Sequence, residues 1–130
     1  MELFALLNRI PVMTDLGADL ERHIVCIRGI RAMLDQDLAR IYGVSTKRLN
    51  QQVRRNIQRF PKDFLIELSA EEARALRSHS ATASRRNIRH RPLAFTEHGA
   101  IMLASVLNTP IAVEASVRVV RAFVKMRELL

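Results

Sequence analysis

Hydrophobic positions change their spacing several times along the chain, and each change marks an element. Ile24 to Ile27 and Ile30 to Leu34 are short apolar runs separated by Arg28-Gly29. Runs of that length on either side of a glycine turn predict two strands in a hairpin. After Leu34 the period lengthens: Leu38, Ile41 and Tyr42 fall on one helical face, and Ala39 is small enough for close packing. Asp35 is the expected N-cap, with Asp37 in the first turn favouring the positive helix end, and Gly43 supplies the left-handed stop. Ser45 or Thr46 can cap a second helix of about 46–59, in which Leu49, Val53, Ile57 and Phe60 recur at core-facing spacing until Pro61 ends it.

The second half alternates in the same way. Phe64 to Leu68 reads as a strand, and Ser69 with Glu72 forms a capping box for a short helix reaching about Arg77. Residues 78–91 are polar and rich in Ser and Arg, a flexible basic loop. Leu93 to Phe95 is expected to pair with Phe64–Leu68, so that the loop becomes a wing-like excursion. Thr96 caps a helix through Leu107, with Ile101, Leu103, Val106 and Leu107 largely buried. Thr109-Pro110 opens the last helix, proline taking the first helical position where its missing donor costs nothing. There Glu114, Arg118, Arg121, Lys125 and Glu128 form a narrow polar stripe. Val113, Val117, Val120 and Val124 flank it on one side, and Ala115, Val119, Ala122 and Met126 on the other. That apolar arc exceeds what one small domain needs, which predicts a homodimer through the C-terminal helix.

The fold class expected is therefore α+β: a helix-turn-helix core with small antiparallel β elements, winged-helix-like, and a long C-terminal helix. Residues 1–22 form a leader, 23–108 the domain, and 109–130 the last helix.

Composition narrows the chemistry. With 130 residues, 48% hydrophobic and 26% charged, the chain is about one ordinary globular domain. Its net charge is +8 and its pI about 11.2, which imply a polyanionic partner. Tryptophan is absent and aromatics are only 5%, so a stacking platform for single strands is disfavoured. The one cysteine, Cys26, cannot form an internal disulfide, which fits a reducing cytoplasm; its apolar run predicts burial in a strand. The first residues lack the basic lead of a secretory signal. The longest apolar stretch, Leu93 to Val113, contains Glu97, His98 and Pro110, so no membrane span is expected. His23, His79, His90 and His98 are scattered without metal-ligand spacing, and no nucleophile elbow, phosphate loop or dinucleotide fingerprint occurs. No catalytic residue, metal, cofactor or small-molecule substrate is expected.

The second helix carries the strongest signal. From Ser45 to Lys62 there are six basic residues, several amides and no acid. Solvated helix faces usually mix acids with bases to gain i,i+4 pairs; a face that does not is suited to an anion. A short helix, a glycine turn and a basic second helix make the layout of a helix-turn-helix that places its second helix in the major groove of double-stranded DNA. Asn50 and Gln51 are candidates for adenine-type readout, and Arg48, Arg54 or Arg55 for guanine or phosphate. Thr46, Lys47, Gln58 and Arg59 complete the expected helix contacts, and Arg85, Arg86, Arg89 and Arg91 of the loop would hold the backbone. The rival reading is an antirepressor-like protein-interaction module that does not bind DNA itself.

The segments I-R-G-I-R-A-M-L-D-Q-D-L-A-R-I-Y-G-V-S-T-K-R-L-N-Q-Q-V-R-R-N-I-Q-R-F-P-K-D-F and L-A-F-T-E-H-G-A-I-M-L-A-S-V-L resemble the KilA-N group of phage DNA-binding domains. The variety they are most similar to is the one named for the amino-terminal part of a phage open reading frame six. Together they span about Ile24 to Leu107. The resemblance implies a DNA-binding domain of a phage or prophage regulatory protein, acting in the bacterial cytoplasm on the nucleoid. It also implies a DNA-contacting role for the helix of Asn50, Gln51, Arg54 and Arg55, and it transfers no catalytic residue.

Overall fold

The computed structural model describes residues 20–79 and 91–129. A 3-10 turn, Leu20–His23, leads into the hairpin β1 (Ile24–Ile27) and β2 (Ile30–Leu34). Helices α1 (Asp35–Ile41) and α2 (Thr46–Arg55) follow, then a second 3-10 turn, Ile57–Arg59, and strand β3 (Leu65–Glu67). Helix α3 (Ala70–His79), strand β4 (Leu93–Phe95), α4 (Glu97–Leu107) and the long α5 (Pro110–Glu128) complete the chain. Among the described residues the architecture is α+β, with five helices and one antiparallel sheet of order β1-β2-β4-β3.

The alternation of side chains divides the core between the two faces of that sheet. Val25, Ile27, Ala32, Leu34, Ile66 and Ala94 turn to one face, which α3 covers with Ala73 and Leu76. Met33 and Phe95 turn to the other, into a larger cluster built with Leu38, Tyr42, Leu49, Val53, Leu103 and Phe123. Period-2 patterning of a sheet covered on both faces requires this division. It also relocates Cys26. The buried positions of β1 belong to its neighbours Val25 and Ile27, so the thiol is exposed rather than buried.

The hairpin forms with the strands and turn the sequence predicts, and its register sets Ile24 opposite Met33 and Ile27 opposite Ile30. Its two-residue turn takes positive φ at both Arg28 (56°) and Gly29 (78°), the conformation whose twist matches the flanking strands. Arginine is an unusual occupant of such a site, and an ion pair holds it there. Nε and Nη2 of Arg28 donate to Oε2 and Oε1 of Glu72, each at 2.8 Å, and Nη2 also donates to the Glu67 carbonyl at 3.2 Å. Glu72 is at the same time the reciprocal partner of Ser69 in the capping box, accepting from the Ser69 amide at 2.9 Å while its own amide donates to Ser69 Oγ at 3.1 Å. One carboxylate therefore starts α3 and ties it to the hairpin.

The caps of α4 and α5 also form as expected. Thr96 Oγ1 accepts from the Gly99 amide, and Thr109 Oγ1 from the Ala112 amide with Pro110 at the first helical position. Gly99 has a second role, since a Cβ there would lie 1.9 Å from the Phe64 carbonyl oxygen. Only glycine lets α4 lie against the chain entering β3. Ile101 departs from expectation. Gly99, Ala100, Leu103, Ala104 and Leu107 take the inward face of α4, leaving Ile101 on the outside at 42% exposure and Val106 half-buried.

Helix α5 is part of the larger cluster through Ala112, Ala115, Val119, Ala122 and Phe123. It packs against α4, and Arg127 pairs with Glu97 beside the first turn of that helix. The turn before β1 seals the other side, with Leu20 buried and Glu21 3.9 Å from Lys125. The leader before residue 20 lies outside the described residues.

Candidate nucleic-acid interface

Helix α1 ends where its sequence predicts. Tyr42 caps it, and Gly43 at φ 73° turns the chain so that the Val44 amide donates to the Ala39 carbonyl at 2.9 Å. Ser45 then starts α2, its Oγ accepting from the Arg48 amide at 3.0 Å. Tyr42 fixes the corner from inside, its hydroxyl donating to the Ala100 carbonyl at 2.9 Å, and burial pushes its pKa well above the ordinary phenol range.

Asp35 is not the N-cap residue of α1; Leu34 holds that position and Asp35 begins the helix. Its carboxylate is fully buried and joins three elements. Oδ1 accepts from the Gln36 amide at 2.7 Å, while Oδ2 accepts from Asn50 Nδ2 on α2 at 3.3 Å and from the Leu93 amide on β4 at 3.2 Å. This carboxylate fixes the position of α2 relative to the sheet. Asn50, expected among the base-reading amides, is consequently an inward residue at 5% exposure. Its amide nitrogen is committed to Asp35, and its Oδ1 is buried without a hydrogen-bond partner among the described residues.

The second helix is shorter than the expected 46–59. The Asn56 side chain donates to the Gln52 carbonyl at 2.8 Å and its backbone leaves helical geometry, so α2 stops at Arg55. The following 3-10 turn carries Gln58 and Arg59. It swings Ile57 outward, to 52% exposure, in place of the core position expected for it. Phe60 does reach the core, where its ring meets Phe95 edge-to-face at 6.0 Å. Leu49 and Val53 anchor the inner face of α2, each contributing on the order of 2 kcal/mol through burial.

What faces solvent is cationic. Lys47, Arg48, Arg54, Arg55 and Arg59 are exposed, Gln58 is exposed, and Thr46 and Gln51 are half-buried. No acid lies on α2, and among the described residues none of those five cations forms an ion pair. Lys62 is exposed just beyond and extends the surface, although it was not among the residues expected there. An open depression beside α2 is lined by Asn50, Arg54 and Ile57 from the helix side, by Glu67 and Leu93 from the strands, and by Arg91 just before β4. The end of the basic loop and the flank of α2 thus meet, with Glu67 the one acid on the rim among the described residues. Arg85, Arg86 and Arg89 lie outside the described residues. Among the described residues, no helix is long and apolar enough to cross a membrane.

These features define a class: a small α+β domain that holds an acid-free cationic helix against the end of a two-faced sheet. The ORF6N domain family matches residues 22–106, about two thirds of the chain, and the chain belongs to that family of phage-type domains. Comparison with curated proteins and with solved structures gave no match.

Proposed function

We propose that this chain is a double-stranded DNA-binding module of a phage or prophage regulatory protein, of KilA-N type, working on the nucleoid in the bacterial cytoplasm. Helices α1 and α2 act as a helix-turn-helix, and α2 enters the major groove. The observation that carries this reading is the row of exposed cations, without ion pairs among the described residues, on and just after a helix without an acid. Unpaired like charges repel one another in the free protein, and a polyanion relieves that repulsion while releasing counterions. In this reading Arg48, Gln51, Arg54 and Arg55 reach base edges or phosphates, and Lys47 and Arg59 hold the backbone. Arg91 adds a contact from the sheet side. Asn50 does not read a base; held by Asp35, it positions the helix.

Fluorescence anisotropy with a labelled mixed-sequence duplex tests the reading. Replacing Arg54 and Arg55 together by Ala is expected to weaken binding by more than ~2 kcal/mol, at ~1 kcal/mol or more per good contact. Wild-type affinity from the double variant would place the interface elsewhere.

A further inference from the structure

Helix α5 buries one face in the core and carries a second apolar stripe that is partly exposed among the described residues. Val113 and Val117 are 53% and 48% exposed, and Val120 and Val124 are half-buried. The spacing of these four valines, four then three then four residues, keeps them on one narrow line along the helix, the spacing of a coiled-coil seam. The stripe lies almost wholly beyond residues 22–106, so it is separate from the matched family domain.

We propose that a second copy of this chain covers the stripe, with the two α5 helices antiparallel about a two-fold axis between Val117 and Val120. In that register Val113 meets the partner's Val124, and Val117 meets the partner's Val120. Charge selects the occupant and its direction. Glu114 and Arg121 border the seam on the same flank, one near each end of the contact. Antiparallel pairing sets Glu114 beside the partner's Arg121, and the two-fold axis repeats the pair. A parallel pairing would set the Glu114–Arg121 flank against the flank of Ser116 and Phe123, where neither charge finds an opposite. Within its own chain Glu114 meets Arg118 at 3.9 Å, the long end of an ion pair, and is 77% exposed, so its carboxylate can also reach a partner. Four valines per chain make a small interface, for which dissociation in the micromolar range is expected.

Sedimentation equilibrium of the full chain, without DNA, tests this independently of the duplex-binding reading. At roughly 100 μM the wild type is expected near twice its 14.8 kDa chain mass. Val117→Lys is expected to be monomeric with unchanged helical circular dichroism. Glu114→Arg, at a solvent position that folding does not need, should raise the dissociation constant roughly tenfold, and adding Arg121→Glu should restore it to within about twofold. A monomeric wild type overturns the proposal, whether residues 1–19 or another protein covers the stripe. A dimer that the charge exchange fails to rescue overturns the antiparallel register. Should Val117→Lys fail to fold, the two surface exchanges still decide the question.

Discussion

Asp35 shows how much one side chain can decide in this domain. Its carboxylate is out of reach of water and satisfies donors on α1, α2 and β4. Truncating it to Ala leaves the buried Asn50 amide and the half-buried Leu93 amide without this acceptor, which costs more than the lost bonds alone. The expected outcome for Asp35→Ala is a loss of about 3 kcal/mol or more in urea unfolding, with Asp35→Asn, which keeps an acceptor, losing less. A loss below about 1 kcal/mol would mean that water replaces the carboxylate. The sequence identified this residue as helix-starting, because an acid before an apolar period has a local signature. It could not identify the long-range bonds, since Asn50 and Leu93 lie 15 and 58 residues away and nothing local records the meeting. For the same reason Asn50 looked like one more exposed amide in a polar helix.

At the scale of elements, the local devices were legible and the exact ends were not. Hairpin turn, capping box, threonine caps and glycine stop each need only a few neighbouring residues, and each formed as expected. The end of α2 differs from expectation because Asn56 closes it: its side chain adds a bond to the Gln52 carbonyl and its backbone turns out of helical geometry, a local choice that hydrophobic spacing through Ile57 and Phe60 does not reveal. The Arg28–Glu72 clamp between hairpin and α3 gives a pH test. The bidentate bond from Arg28, with help from the Ser69 amide, holds the Glu72 carboxyl at about 2, below its ordinary 4.5. A depressed carboxylate pKa stabilises the fold above the unfolded value and loses that contribution as pH falls towards the folded one. Wild type should therefore exceed Glu72→Gln in stability at neutral pH, and the difference should shrink from about pH 4.5 downwards and nearly vanish near pH 2. Denaturant unfolding of both proteins at several pH values measures it; a difference independent of pH would show that packing, not charge, fixes the clamp.

At the scale of the whole molecule, a net charge of +8 would attract any polyanion, so affinity alone does not distinguish a shaped interface from general attraction. The distribution of charge does. Among the described residues five cations without ion pairs lie on or just after α2 and Arg91 faces the same depression, whereas Arg74, also exposed, lies on α3 across the sheet. Each phosphate neutralised contributes about −0.9 to the slope of log affinity against log salt, so four or five such contacts predict a slope on the order of −4. Arg54→Ala and Arg91→Ala should each flatten that slope by about one unit if the residue meets a phosphate, while Arg74→Ala should leave it nearly unchanged. Titrations of wild type and the three variants at three or more salt concentrations, on one duplex, measure these slopes. Equal flattening by Arg74→Ala would mean that the duplex responds to total charge and that α2 has no special place in binding. A steep slope confined to α2 and the loop end would instead tie affinity to the geometry that Asp35, Gly43 and Phe60 impose on that helix.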